Sequence, residues 1–160
     1  MIRPARPGDE GLVLRFVREL AAYEREPDAV EASEADLAAA LFGPEPAAEA
    51  VIAEVDGEPA GFALYFHNFS TWTGKRGLYL EDLYVTPPAR GRGVGRALLS
   101  HLARIALDRG CARFEWSVLD WNVDAVRFYR ALGAVGMEEW TVQRVGGDAL
   151  RRLARTADGV

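Results

Sequence analysis

The stretch from residue 78 to residue 118 constrains this chain more than any other. LYLEDLYV, residues 78 to 85, reads as a strand closed by Pro87 and Pro88, which cannot continue a ladder. ARGRGVG follows, with Gly91, Gly93 and Gly95 set among arginines, and it runs directly into a helix over 94–109. That helix carries Val94, Leu98, Leu102 and Ile105 on one stripe and is capped by Gly110. ARFEWSV, residues 112 to 118, is a further strand. Strand, helix and strand form a βαβ unit, so these two strands are parallel neighbours in one sheet.

Elsewhere the pattern is antiparallel. IRPAR supplies a short first strand. Asp9 can cap a helix that carries Leu12, Val13, Phe16, Val17 and Leu20 at core spacing and ends near Tyr23 and Glu24. Ser33 with Asp36 is a capping-box pattern opening a second helix through Leu37 to Phe42, stopped by Gly43 and Pro44. AVIAEVDGEPAGFALYFH alternates around Asp56-Gly57, a two-residue hairpin signal, and NFSTWTGKRG then reads as a polar loop. Asn122 caps a helix through Leu132, Gly133 ends it, and MEEWTVQRV supplies a last strand before a polar tail. The expected order is β-α-α-β-β-β-α-β-α-β. That is an α/β (α+β) fold with a mixed, mostly antiparallel sheet, in one domain over 1–155 with a tail over 156–160.

Composition narrows the function classes. With 160 residues the chain needs no covalent staple, and one cysteine, Cys111, excludes an internal disulfide. One cysteine and two separated histidines, His67 and His101, build no metal cluster, so no metal is expected. A net charge of −5 argues against a nucleic-acid surface and towards a cationic partner. No signal core and no apolar run of spanning length are visible, so no membrane contact and a cytoplasmic location are expected.

Helix N-termini leave backbone N–H groups unpaired, and glycines that admit a ligand to them make an anion site. Arg90, Arg92 and Arg96 would add charge to such a site, although three glycines can equally serve only a tight turn. A dinucleotide fingerprint would need glycine where Arg96 stands, and no Gly-Lys-Ser/Thr is present for a P-loop. What fits is R-x-x-G-x-G, carried by Arg90, Gly93 and Gly95 directly after a strand.

This loop resembles the pyrophosphate loop of the GNAT N-acetyltransferase family. The resemblance runs from IRPA to the tail and is closest in YLEDLYV, RGRGVG, ALDRGC, VLDWN and FYRALGA. Those segments look like the diamine and thialysine N-acetyltransferase-like subgroup. The resemblance implies a GNAT fold in which the two parallel strands splay apart. It implies acetyl-CoA as donor, held by the backbone of Leu83, Tyr84 and Val85, by the loop residues Arg90, Gly91, Arg92, Gly93, Val94, Gly95 and Arg96, and by Asn122 and Ala125. It makes Tyr129 the acid that protonates the leaving thiolate and Glu81 the base, working through water, with Asp82 as a second acidic group. The expected partners are a small-molecule amine acceptor and a second copy in a homodimer.

The residues can also be read without the family. Asn122, Ala125 and Tyr129 share one helix face, but that spacing alone favours an amphipathic core tyrosine. A Glu-Asp pair at a strand end is ordinarily solvated, and regular pleating would aim Glu81 and Asp82 to opposite faces. A lysine-like amine is neutral in only about one molecule in a thousand at pH 7.4, so the acceptor needs a base. Tyr23, Glu24, Trp72, Glu115 and Trp116 are the remaining acceptor-side candidates, as aromatics and carboxylates suit an alkylammonium. In the resemblance, Ser70 stands where polyamine-preferring members carry an aspartate, which implies a thialysine- or lysine-like acceptor over spermidine. The rival functions are a protein N-terminal or lysine acetyltransferase and a non-catalytic acyl-CoA-binding sensor.

Overall fold

The computed structural model describes residues 1–156 and falls into two compact units, Met1–Leu119 and the chain from Asp120 onward. The first unit holds β1 (Ile2–Pro4), α1 (Glu10–Tyr23), α2 (Glu34–Phe42), β2 (Glu49–Val55), β3 (Glu58–Ser70), β4 (Lys75–Val85), α3 (Val94–Asp108) and β5 (Arg113–Glu115). The strands form one sheet in the order β1-β2-β3-β4-β5, and only β4 and β5 run parallel.

Local chemistry sets most of these elements. Asp56 and Gly57 have φ of +54° and +81°, the two left-handed residues of a type I′ turn, and they join β2 to β3 as the sequence indicates. Ser33 and Asp36 form a reciprocal capping box at the start of α2, and at its end a Cβ on Gly43 would run into the Ala39 carbonyl oxygen. Asp9 departs from expectation: it precedes α1, but its side chain makes no capping bond. Its carboxylate instead takes both guanidinium nitrogens of Arg3, at 2.7 and 3.1 Å, and the Arg6 N–H at 2.7 Å. A charged fork outcompetes a single backbone N–H for the same oxygens.

β3 alternates strictly. Phe62 and Leu64 point to the side covered by α1 and α2, where Val13, Phe16, Leu41, Ala50 and Tyr84 complete a core cluster. The Phe16 and Phe62 rings stack at 5.7 Å, and each is fully buried, worth about 1.5–3 kcal/mol in transfer alone. Ala63 and Tyr65 point to the other face, where Arg109 at the end of α3 lies over the Tyr65 ring. Arg109 also clasps Glu49 with two bonds of 2.5 and 2.9 Å, which holds the Glu49 carboxyl below its ordinary range. Beside them His67 Nδ1 lies 3.1 Å from the Gly77 carbonyl oxygen, and its Nε2 lies 2.9 Å from the Arg109 guanidinium.

In this unit two further expectations need correction. The stretch read as a polar loop over 68–77 is mostly ladder: β3 and β4 pair out to Ser70 and Lys75, leaving a four-residue connection. Ser70 Oγ closes that connection by accepting from the N–H groups of Trp72 and Thr73. The strand expected over 112–118 is only Arg113–Glu115, for a reason that belongs to the site described below.

The second unit holds α4 (Val123–Ala131) and α5 (Gly147–Arg155). Asn122 caps α4, its Oδ1 accepting from the Ala125 N–H at 3.3 Å, and Gly133 follows at φ +95°. The last strand expected over MEEWTVQRV does not form. Met137, Trp140, Val142 and Val145 are exposed, and a strand requires a neighbouring edge, which the described residues of this unit lack. The helix α5 was not expected from the sequence; Arg151 pairs with Asp148 one turn earlier. Thr156 caps α5, and the rest of the expected polar tail lies outside the described residues.

Candidate active site

β4 ends at Val85, and a single 3-10 turn over Pro87–Ala89 leads to the glycine loop. Gly91 and Gly93 have φ of +75° and +80°, and Gly93 is the N-cap of α3. The first helical bond runs from the Ala97 N–H to the Gly93 carbonyl, so the N–H groups of Val94, Gly95 and Arg96 have no carbonyl behind them in the helix. A Cβ on Gly91 or Gly93 would meet nothing within 4 Å, so left-handed backbone rather than crowding selects glycine, and the space outside the loop is open. A Cβ on Gly95 would sit 3.8 Å from Val85 Cγ2, an ordinary contact that packs the helix start on the strand end.

The three arginines are all exposed but do not act alike, and Arg92 lies 3.3 Å from the hairpin carboxylate of Asp56. Arg90 turns back: its Nε donates to the Val85 carbonyl at 3.1 Å, and its guanidinium lies 5.1 Å from the Tyr23 ring and 5.8 Å from the Tyr84 ring.

β5 meets β4 only over Gly77–Tyr79, against Arg113–Glu115. Leu83, Tyr84 and Val85 pair with Ala63, Phe62 and Gly61 of β3 and have no register position opposite β5. The cause is a bulge. Leu64 faces Asp82 and Tyr65 faces Leu80, so Glu81 is an extra residue in β4. An extra residue bends the strand and increases its twist, which carries the far half of β4 away from β5. Where the strands part, Tyr79 Oη and Ser117 Oγ lie 3.0 Å apart, and the Trp116 ring packs on Phe114 at 4.9 Å.

The same bulge overturns the expectation that Glu81 and Asp82 face opposite sides. Leu80 and Leu83 both lie opposite β3 residues of the α3 face, Tyr65 and Ala63, so the two carboxylates fall together between them. Asp82 lies opposite Leu64, on the side of α1 and α2. Burial, then the charges of Glu81 and Glu24, pushes the Asp82 carboxyl up to about 6, and burial raises that of Glu24, which follows α1. Three carboxylates thus share one neighbourhood beside the glycine loop. A group that titrates at about 6, as Asp82 does, takes a proton readily near neutral pH, and a cluster of carboxylates favours an incoming cation.

The other candidates belong to other elements. Trp72 is exposed on the β3–β4 connection, which is too short to fold over a ligand as a long loop would. Glu115 is the last residue of β5, opposite Tyr79. Asn122, Ala125 and Tyr129 share α4 in the second unit. There the Asn122 carbonyl oxygen is spent on the helix cap, and the half-buried Tyr129 ring lies 5.6 Å from Phe128. Among the described residues no group of three potential ligands could hold a metal, and no helix is long and apolar enough to cross a membrane.

The model of the Acetyltransferase (GNAT) family matches residues 14–134. The chain belongs to the GNAT acetyltransferase family. This GNAT chain is 45% identical over 165 residues to a thialysine N-epsilon-acetyltransferase of Sus scrofa, covering 96% of each. It is 43% identical over 94 residues to an L-ornithine N5-acetyltransferase of Arabidopsis thaliana, covering 59% of this chain and 41% of the relative. Among solved structures, an integron cassette protein of V. cholerae superposes with a TM-score of 0.80 at 32% identity, covering 97% of each chain. The mixed sheet with one parallel pair is the GNAT fold expected from the sequence.

Sequence reasoning missed the bulge at Glu81, which leaves no composition signal, and the contacts of Arg90 with Val85, Tyr23 and Tyr84. It also missed Glu19, whose carboxylate faces the Tyr84 hydroxyl.

Proposed function

We propose that the protein is an acetyl-CoA-dependent N-acetyltransferase acting on the primary amine of a small cationic metabolite, a thialysine- or lysine-like compound or a diamine. The observation that carries this reading is the cluster of Glu24, Glu81 and Asp82 at the β4 bulge, next to a glycine loop that opens a helix. The names of the relatives support the same substrate class.

The residues present suit the donor. The open, left-handed turn at Gly91 and Gly93 and the N–H groups of Val94, Gly95 and Arg96 would hold its pyrophosphate, with Arg92 and Arg96 supplying charge. The diverging edge of β4 at Leu83, Tyr84 and Val85 would receive its extended arm, and Asn122 and Ala125 would contact it from α4. Bound acetyl-CoA supplies an acetyl group activated as a thioester. Asp82 and Glu81 receive the ammonium and take its proton, burial and the nearby charges having raised the Asp82 carboxyl to about 6. Glu24 and Tyr23 flank the cation, while Trp72, Glu115 and Trp116 are the outer candidates for its stem. Tyr129 gives its phenolic proton to the departing sulfur.

In this reading residues 1–155 work as one acetyltransferase domain, in a cytoplasmic homodimer without metal. The half-buried thiol of Cys111 suits a reducing compartment. The test is thiol release from acetyl-CoA with thialysine, lysine, ornithine, putrescine, spermidine and an N-terminal peptide. Thialysine or lysine is expected to give the highest kcat/KM. Preference for the peptide would support a protein acetyltransferase, and CoA binding without turnover of any amine would support a sensor; either result refutes the proposal.

A further inference from the structure

We propose that Arg90 is a positioning residue that ties the glycine loop to the acceptor side of the site, and not a ligand of the donor's phosphates. The inference rests on the acetyltransferase reading above. Arg90 directly precedes Gly91, so its backbone moves with the loop. Its Nε–H is committed to the Val85 carbonyl at 3.1 Å, and its guanidinium lies within cation–π distance of Tyr23 and Tyr84. Tyr23 ends α1 and is followed by Glu24. The Tyr84 hydroxyl faces Glu19, which stands four residues before Tyr23 and therefore on the same side of α1.

One side chain thus joins three parts: the start of the loop, the end of β4, and the last turn of α1, next to Glu24 and the acid cluster. A guanidinium suits this because it is planar and donates from Nε while its face stacks on rings. A lysine ammonium keeps the charge but, as a single compact donor, cannot donate in its plane while its face stacks on two rings. Arg92 and Arg96 supply the loop's other charges for an anion. Because the same side chain is held at all three parts, the loop and the acceptor pocket are set together.

The test compares Arg90→Lys, Arg90→Gln, Tyr23→Leu and the double variant Arg90→Lys/Tyr23→Leu. Each is checked for folding by circular dichroism, then assayed for CoA affinity by calorimetry and for thialysine turnover at saturating acetyl-CoA. Both Arg90 variants are expected to raise KM for the amine about tenfold, the scale of a lost stacked cation contact, with CoA affinity within about threefold of wild type. The double variant is expected to be no worse than the worse single one, as for residues acting through one contact. The proposal is overturned if Arg90→Gln weakens CoA about tenfold and Arg90→Lys restores it while the amine KM stays unchanged. That pattern marks a phosphate ligand. Fully additive effects with Tyr23→Leu overturn it as well. A wild type that binds no CoA sinks the acetyltransferase reading itself, so the two failures are distinguishable.

Discussion

Replacing Asp82 by Asn is expected to stabilise the folded protein at neutral pH while impairing turnover. The Asp82 carboxyl titrates at about 6 in the fold against an ordinary 3.8, first because it is buried and then because Glu81 and Glu24 crowd it. A folded-state pKa above the unfolded one means that the native chain holds the proton more tightly. The stability contributed by that proton is complete below about pH 4 and is lost as the pH rises through about 6. Two pKa units correspond to ~3 kcal/mol of disfavoured charge. Water that still reaches a half-buried group reduces this to about 2 kcal/mol, or roughly 4–8 °C in Tm for a chain of this size. Asparagine keeps the shape and carries no charge at any pH. Thermal melts of parent and variant from about pH 4 to about pH 8.5 should therefore converge at the acid end and separate steadily through about pH 6, the variant melting higher. A Tm difference that is flat across this range, or a variant that melts lower at the alkaline end, would refute the argument that burial and like charge strain this carboxylate. Turnover measured on the same samples should fall, because the strained charge is the one proposed to meet the ammonium.

Gly93→Val forces a β-branched residue into left-handed backbone and fills the open side of the loop; CoA affinity by calorimetry should drop at least tenfold and stability by about 1–2 kcal/mol. Tyr129→Phe should lower kcat more than it weakens acetyl-CoA binding, and an unchanged kcat under conditions where chemistry limits the rate rejects the acid role. Ser70→Asp retains an oxygen that can accept the N–H groups of Trp72 and Thr73, so Tm should hold. The ratio of kcat/KM for spermidine over thialysine should meanwhile rise about tenfold to a hundredfold, the worth of one charge-assisted contact; no change in the ratio means that Ser70 does not set specificity.

What the sequence made legible is what local chemistry decides. Asp56-Gly57 can adopt few turns, Ser33 and Asp36 cap each other wherever they stand, and three alternate glycines before an apolar stripe specify a strand-to-helix turn. The parallel pair followed from chain length between two strands. What stayed hidden depends on partners distant in sequence. Glu81 becomes a bulge residue only because β3 pairs on both sides of it, and that slip is what gathers Glu81 and Asp82 on one side. Asp9 failed as a cap because Arg3, on β1, reached it first. The apolar residues of 137–145 had the composition of a strand but no edge to receive them in their unit. The motif position of Arg90 is visible in the sequence, whereas its contacts with Tyr23 and Tyr84 exist only in the fold.

His67 offers a remote view of the site. A carbonyl only accepts and a guanidinium only donates, so a ring with Nδ1 on the Gly77 oxygen and Nε2 on Arg109 is a neutral imidazole with its proton on Nδ1. The chain has only two histidines, so nitrogen NMR resolves this tautomer against His101, with His101→Gln giving the assignment. α3 is a single helix of 15 residues between the glycine loop and Arg109, a rod of about 22 Å. A ligand that shifts its loop end carries Arg109 with it and alters the environment of His67 Nε2. The imidazole thus becomes a spectroscopic gauge set at the opposite end of α3 from the glycine loop.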